Sequence, residues 1–483
     1  MGLVTPVAPV PLAGLGRVHF TGIGGAGMSG IARIMIARGV AVSGSDAAGG
    51  GQLDSLAALG AEVHVGHAAA HLAGADTLVV SSAIRPDNPE LAAARSLGLR
   101  ILPRAAALAS VMLGRRGVAV AGTHGKTTTT GMITTALRHT GADPGYVIGG
   151  ILTETGLGAE DGKGEAFVAE ADESDASFLM LAPEVAVVTC IEADHLDNYP
   201  GLAEIEEAFA AFARRIVPGG VLIACADDPG ARALAATAAS AGIRVRSYGQ
   251  AEDADYRVGS VQPAGMSVSL EISAAPQAGP GGAETARLTV GVPGRHNALN
   301  GAAAYAAVRE LGVAAGPATD GVAAYRGTGR RMEPKGEAAG VLVLDSYAHH
   351  PTELAADLRA ARGIRDGRVI AVFQPHLFSR TRIFAGEFGA ALGLADKVFV
   401  LDVYAAREDP EPGVTGELVA SAVPGGRAVF ASGRDGAPGR DGLPAAVAAF
   451  ARPGDLVLTM GAGDVTSLGP LIVTALAGRA GGS

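Results

Sequence analysis

An apolar run, Gly117-Val-Ala-Val-Ala121, passes without a break into Gly122-Thr-His-Gly-Lys-Thr-Thr128, and few folds accommodate that transition. A strand that ends in glycines and restarts as a helix aims backbone amides, and the positive end of the helix dipole, at an anion. Such a step belongs to an α/β domain, with helices packed on the faces of a largely parallel sheet. The side chains in the turn suit a phosphate chain. Lys126 would neutralise β- and γ-oxygens, and the Thr127 hydroxyl would ligate magnesium. The turn departs from the G-x-x-x-x-G-K-[ST] pattern, because Val120 stands where its first glycine belongs. The amides from Gly122 onward are unaffected by that departure.

The same passage from strand to turn or helix occurs at two other places. Arg17 to Thr21 reads as a strand, Gly22-Ile-Gly-Gly-Ala-Gly27 as a turn, and Met28 to Arg38 as a helix that Gly39 closes. Further strands are expected at Val40–Ser43 and Leu78–Val80. This first βαβ region is expected to span residues 1–115. The second, 116–325, contains the lysine-bearing turn, a helix that stops at Gly141, and strands at Ala166–Ala169, Val185–Thr189 and Val221–Ala224. The Pro- and Gly-rich stretch between Ser273 and Ala286 reads as a surface loop. The third region, 326–483, alternates strands at Val341–Leu344, Val369–Phe373, Val398–Leu401 and Leu456–Thr459 with helical stretches, a parallel doubly wound pattern.

Several groups of polar residues fall at predicted strand ends, where open α/β sheets place their ligands. Gly22, Gly24 and Gly27 satisfy G-x-G-x-x-G, with Asp46 about 20 residues on, which suits a dinucleotide or any diphosphate nucleotide. Glu170-Ala-Asp-Glu-Ser-Asp175 and Asp194-His-Leu-Asp197 end consecutive strands and are expected to face the lysine-bearing turn, supplying carboxylates for magnesium. Asn297, in Gly294-Arg-His-Asn297, is either an adenine reader or a helix N-cap. Asp345-Ser-Tyr-Ala-His-His-Pro351 and Phe373-Gln-Pro-His-Leu-Phe-Ser-Arg380 carry histidines and an arginine on post-strand loops, which suits anion capture.

Composition excludes several classes. The net charge of −10 opposes a nucleic-acid partner, which calls for a basic face, and the absence of tryptophan opposes base-stacking platforms. Two cysteines, Cys190 and Cys225, support neither a disulfide framework nor a structural zinc site. No run of about 18 apolar residues is present, and the N-terminal stretch lacks a basic leader, so neither a membrane span nor a signal peptide is expected. A cytoplasmic location is the expectation.

Taken in order, Gly22 to Met28, Gly122 to Thr128, Glu170 to Asp175, Glu192 to Asp197, Gly294 to Asn297, Tyr347 to Glu353 and Phe373 to His376 resemble the muramate ligase family, and its alanine-adding branch in particular. The resemblance implies three domains: a Rossmann-like N-terminal domain for a UDP-sugar, a central P-loop-type ATPase domain and a C-terminal Rossmann-like domain. It turns the first glycine loop from a nicotinamide site into a grip for a UDP diphosphate, with Gly24, Gly25, Gly27, Asp46, His67 and Ser82 as binding residues. In the second domain it implies ATP on Gly122, Thr123, His124, Gly125, Lys126, Thr127 and Thr128, Mg2+ on Thr127, Glu173 and His195, and adenine on Asn297. Arg331 and Asp345 would reach phosphate and ribose. His349, His376 and Arg380 would lie toward the amino-acid and phosphoryl site.

The implied substrates are UDP-N-acetylmuramate and L-alanine, and a homodimer is an assembly the resemblance admits. The implied chemistry is an acyl phosphate formed from ATP and then attacked by the amine. Both steps build charge on oxygen, so cations rather than a general base carry them, with domain closure assembling the site. Two positions depart from the pattern the resemblance implies: Cys190 and Ser346 replace a usual Asn and Asp. Ala210 stands where several sibling ligases carry a modified lysine, which fits the alanine-adding branch. Competing readings are a nicotinamide-dependent dehydrogenase, a non-catalytic nucleotide-binding protein and a muropeptide-recycling ligase.

Overall fold

Runs of Val, Ile, Leu and Ala punctuated by glycine turns form three sheets in the computed structural model of the chain. The structure describes residues 3–196, 198–278, 282–406, 408–434 and 436–480, so Asp197 of the second acid cluster lies outside the described residues. The chain divides into two compact units. One comprises Met1–Ser260, Leu270–Leu288 and Leu299–Tyr325; the other comprises Val261–Ser269, Thr289–Ala298 and Arg326–Ser483.

The first sheet is built from β1 (Val18–Thr21), β2 (Val42–Asp46), β3 (Glu62–Val65), β4 (Thr77–Val80) and β5 (Arg100–Pro103), with helices α1 (Ala26–Ala37), α2 (Gly51–Ala58), α3 (Pro89–Leu97) and α4 (Arg104–Met112). Strand order is β3-β2-β1-β4-β5, all parallel. The chain reverses its direction of winding between β1 and β4, and that point is where a doubly wound sheet opens a crevice. β2 runs to Asp46 rather than stopping at Ser43. Gly44 pairs with Phe20 and lies beneath Ile23, where a Cβ would come within 2.5 Å of the Ile23 Cδ1. That glycine serves close packing inside a strand and does not mark a turn.

The central sheet follows in the order β15-β14-β13-β12-β11-β10-β6-β9-β7-β8. Its members are β6 (Arg116–Ala121), β7 (Gly145–Val147), β8 (Ala159–Glu160), β9 (Ala166–Glu170), β10 (Val185–Val188), β11 (Val221–Cys225), β12 (Arg244–Gly249), β13 (Tyr256–Ala264), β14 (Ser267–Ala274) and β15 (Glu284–Val290). β6 lies between β10 and β9, parallel to both, so the turn that follows it is central. Helices α5 (Lys126–His139), α6 (Leu202–Ala213), α7 (Pro229–Ser240), α8 (Arg295–Glu310) and α9 (Ala315–Ala323) accompany these strands. The expected Pro/Gly loop is shorter than the sequence suggests, because β14 reaches Ala274 and β15 begins at Glu284. Ser-Thr pairs across those strands, such as Ser273 with Thr285, extend the ladder.

The third sheet contains β16 (Glu333–Ala338), β17 (Val341–Ser346), β18 (Val369–Phe373), β19 (Lys397–Val400), β20 (Ala428–Phe430) and β21 (Leu456–Met460), in the order β16-β17-β21-β18-β19-β20. The parallel pattern holds for five strands, but β16 pairs antiparallel to β17 through a two-residue turn at Ala339-Gly340. The helices are α10 (Pro351–Arg362), α11 (Phe378–Leu392), α12 (Gly416–Ala422), α13 (Leu443–Phe450) and α14 (Leu468–Ala480). Two apolar layers, one around Leu344, Leu358, Phe373 and Phe388 and one around Val343, Ile370, Val372 and Leu476, cover its two faces. Among the described residues, no helix is long and apolar enough to cross a membrane.

Candidate active site

The lysine-bearing turn adopts the geometry its composition implies. Gly122 has φ 131° and Gly125 has φ 82°, both outside the range that L side chains favour. A Cβ on Gly122 would fall 2.1 Å from Thr189 Oγ1, and one on Gly125 would fall 2.6 Å from Asn300 Oδ1. The turn is clamped to the end of β10. The Thr189 hydroxyl donates to the His124 carbonyl, the Thr123 N–H to the Cys190 carbonyl (3.0 Å), and the His124 N–H to Cys190 Sγ (3.3 Å). Burial pushes the Cys190 thiol well above its usual range, so it serves here as a neutral acceptor.

Lys126 opens α5 and points back across its own loop. Its Nζ donates to the Gly122 carbonyl (2.7 Å), the Thr123 carbonyl (3.2 Å) and Glu173 Oε1 (2.7 Å). Burial disfavours the ammonium, but the carboxylates of Glu173, Glu170 and Asp172 outweigh it and hold the lysine above its ordinary range. It is therefore charged at every physiological pH. His195 Nε2 lies 3.6 Å from Glu173 Oε1 and 3.7 Å from Asp194 Oδ2, and its φ of 54° is a strained backbone held at the site. Burial works against the imidazolium, and the bond to Glu173 together with the charges of Asp194 and Glu173 more than offsets it, so the histidine is held above its ordinary range.

Only part of the first acid cluster turns toward the loop. Glu170 accepts from Thr127 Oγ1 (3.1 Å) and the Gly149 N–H (2.7 Å), and Glu173 meets Lys126. Asp172 turns away to Arg104 (2.7 Å), and Asp175 accepts from the Ser177 N–H (3.0 Å). The expectation that the whole cluster faces the loop is corrected accordingly: β9 ends at Glu170, strand alternation no longer orders the residues after it, and Asp172 and Asp175 take other partners in Arg104 and the Ser177 amide. Burial opposes the Asp172 carboxylate, yet the charge of Arg104, the bonds from Ser174 and the charge of Lys126 together bring it down to about 2. Glu173 Oε2 is buried and has no hydrogen-bond partner among the described residues. A divalent cation is what such an orphaned carboxylate oxygen calls for. Thr127, Glu173 and His195 together offer two oxygen donors and a nitrogen in the first turn of α5 and beside it.

At the carboxyl end of the first sheet the glycine loop meets Asp46, whose Oδ2 accepts from the Gly24 N–H (2.9 Å). Gly27 lies in the first turn of α1 beside Arg104, where a Cβ would stand 2.7 Å from Nη1. Gly25 is the N-cap of α1. His67 follows β3 and contacts Ser45 Oγ (2.8 Å), while Ser82 is exposed in the turn after β4. Sequence reasoning missed the group that ties these together. Glu90, fully buried on α3, accepts from Thr21 Oγ1 (2.8 Å), Ser45 Oγ (2.7 Å), the Ala68 N–H (3.3 Å) and His71 Nδ1 (3.0 Å). Burial alone would raise its pKa, but the bonds from His19, Ser45, Thr21 and His71 hold it far below the usual carboxylate range. The signal was weak because an acid in a first helical turn is normally a solvated partner of the helix dipole.

In the second unit, Asp345 is fully buried and accepts from Thr459 Oγ1 (2.7 Å) and Thr466 Oγ1 (2.7 Å), with Arg330 Nε at 3.3 Å. Arg330 and Arg331 both stack on the Tyr347 ring, at 4.8 and 5.2 Å from its centroid. His349 Nδ1 is 3.0 Å from the Tyr347 carbonyl, and His376 stacks on Tyr404 at 5.8 Å. Arg380 is buried in the first turn of α11. Ser346 donates to Asp357, which in turn faces His296 (3.6 Å), so the hydroxyl at the position of departure still belongs to a buried polar chain. Asn297 is within α8, where its amide donates to the Pro293 carbonyl (2.7 Å); the reading of it as the helix N-cap is therefore corrected.

These sheets and this site define a class. Family models described as the Mur ligase catalytic, middle and glutamate ligase domains match residues 17–116, 120–308 and 330–463, and the chain belongs to the Mur ligase family. The fold is therefore a three-domain α/β arrangement, and the dehydrogenase reading of the first glycine loop is set aside. Two relatives narrow the comparison. The chain is 56% identical to a UDP-N-acetylmuramate–L-alanine ligase of Thermobifida fusca, over 99% of this chain and 100% of that one. It is 55% identical to the protein of the same name in Kineococcus radiotolerans, over 97% and 98%. Among solved structures, a UDP-N-acetylmuramate-alanine ligase from Thermotoga maritima superposes with TM-score 0.77 at 27% identity, covering 95% of this chain and 98% of that one. A murein peptide ligase from Psychrobacter arcticus gives 0.67 at 26%, with the same coverage.

Proposed function

We propose that the chain is an ATP-dependent ligase that forms the amide bond between L-alanine and the lactyl carboxylate of UDP-N-acetylmuramate, in peptidoglycan precursor synthesis. One observation carries the reading. Lys126, Glu173 and His195 converge on the first turn of α5, in a chain that matches ligases of that name along nearly its whole length. Residues 1–115, 116–325 and 326–483 are taken as the UDP-sugar, ATP and C-terminal domains.

Gly122, Thr123, His124 and Gly125 would line the β-phosphate of ATP, with the amides at the start of α5, from Lys126, Thr127 and Thr128, donating to it, and the Lys126 side chain would exchange its carbonyl bonds for charged phosphate oxygens. Thr127, Glu173 and His195 fit magnesium, which when bound would neutralise the phosphoryl oxygens. The sugar's lactyl carboxylate attacks the γ-phosphorus, giving an acyl phosphate and ADP. The alanine amine then attacks the acyl carbon and phosphate departs. Negative charge develops on oxygen in both steps, so a lysine already charged and fixed in place lowers the barrier without reorganising. Gly24, Gly25, Gly27, Asp46, His67 and Ser82 would hold the UDP moiety. Asn297 would read adenine, and Asp345 and Arg331 would hold ribose and phosphate. His349, His376 and Arg380 form an aromatic and cationic set suited to a carboxylate. A cytoplasmic location accords with nucleotide substrates.

The test is phosphate release with UDP-N-acetylmuramate, ATP and magnesium, with and without L-alanine. The reading expects release only when both acceptor and sugar are present. Release that ignores both would refute it.

A further inference from the structure

The Glu90 network has a consequence that follows from counting protons. Glu90 is fully buried, and as a carboxylate it can only accept. Ser45 Oγ lies 2.7 Å from Glu90 Oε2, so its single proton is committed there. The second contact of the same hydroxyl, to His67 Nδ1 at 2.8 Å, must then run the other way, with Nδ1–H donating and Ser45 accepting. An imidazole protonated at Nδ1 leaves Nε2 as an acceptor. The His67 side chain is 20% exposed, and among the described residues Nε2 has no protein partner.

The position of that acceptor gives it a use. In a doubly wound sheet the diphosphate sits on the loop after β1, the acid ending β2 meets the ribose, and the base lies beyond it. Asp46 ends β2, and His67 follows the next strand outward, β3. We propose that Glu90 is a positioning residue that, through Ser45, fixes His67 as its Nδ1–H tautomer, so that Nε2 accepts from the imide N–H of a uracil base and selects against cytosine. Cytosine carries a lone pair at that ring position, and two acceptors facing each other would repel. The inference rests on the reading of the first glycine loop as a UDP grip. The burial of Glu90 is part of the device, since water beside Ser45 would release its proton to either partner.

Two measurements on the full-length chain test this. Long-range 1H–15N spectra of histidine-labelled protein, with the His67 signals assigned through His67→Asn, report the tautomer directly. The expected result is Nδ1–H in the native protein and loss of that preference in Glu90→Gln; an Nε2–H native ring overturns the proposal without any variant having to fold. Calorimetric titration with UDP, CDP and ATP supplies the second readout. In Glu90→Gln, UDP affinity should fall about tenfold, the loss of one well-placed hydrogen bond, and the preference for UDP over CDP should shrink while ATP affinity holds. Equal losses for UDP and CDP would place the contact on the ribose and overturn the assignment to the base. A parallel fall in ATP affinity would mark Glu90 as merely structural. Native protein that binds neither UDP nor CDP would refute the reading of the glycine loop and the base assignment with it, whereas the spectra would still decide what Glu90 does to His67.

Discussion

Replacing Lys126 with Met removes one charge and keeps the stem. At an effective dielectric constant of about 20, a unit charge about 4 Å from a developing anion is worth roughly 4 kcal/mol. Each 1.4 kcal/mol or so is tenfold in rate, so turnover should fall about 10³-fold. That agrees with the roughly 10²–10³-fold loss seen when a single preorganised donor is taken from an oxyanion site. A second effect acts on stability. Lys126 Nζ sits 2.7 Å from Glu173, whose side chain is 3% exposed, and its removal takes away the cation that offsets the charges of Glu173, Glu170 and Asp172. Breaking a fully buried pair costs about 3–5 kcal/mol. The 16% exposure of the lysine side chain makes that range an upper bound. The assay is ADP formation with UDP-N-acetylmuramate, L-alanine and magnesium, beside a urea denaturation curve showing that the variant is folded at the assay temperature. Folded Lys126→Met protein that turns over within threefold of the native rate would refute the electrostatic account.

Gly122→Ala introduces a Cβ at φ 131°, 2.1 Å from Thr189 Oγ1 and 2.9 Å from its backbone nitrogen. A strained φ alone costs about 1–3 kcal/mol, so the urea midpoint should drop and the KM for ATP should rise at least several-fold. Glu173→Gln removes the charge of the carboxylate that carries the orphaned oxygen and should raise the magnesium concentration needed for half-maximal rate by about tenfold, read from a metal titration at saturating ATP. Glu90 links stability to acid. Its folded pKa is depressed below the unfolded value of 4.5, so its contribution is present above that pH and is lost as acid protonates it on the way down. The stability gap between native protein and Glu90→Gln should therefore be widest near neutrality and should narrow below pH 4.5; a gap independent of pH would contradict the assignment of a buried charge.

Much of the site was legible in the chain because phosphate turns are local. Gly122, Gly125 and Lys126 lie within one turn of backbone, and their geometry needs only the strand before them and the helix after. Strand ends rich in acids were equally visible. Which acid faces inward was not: Glu173 turns to Lys126, while Asp172, one residue earlier, turns to Arg104, a residue 68 positions away. The antiparallel β16 escaped notice because Glu333-Pro-Lys-Gly-Glu-Ala338 lacks apolar alternation, and pairing with the buried β17 rather than propensity holds it. The boundary of β2 was misplaced because Gly44 reads as a turn until Ile23 is seen above it.

What the amino-acid order determined by itself was the set of short-range devices: three strand-to-helix transitions, the glycines at positive φ, and the lysine that opens α5. Each depends on neighbours a few residues apart, so composition and spacing suffice. Tertiary structure alone decided the partners of the isolated polar residues. Glu90 draws Thr21, Ser45 and His71 from three separate segments, and Asp345 draws Thr459 and Thr466 across more than a hundred residues. A buried carboxylate must find donors wherever the packed sheet brings them, and sequence spacing holds no record of that meeting.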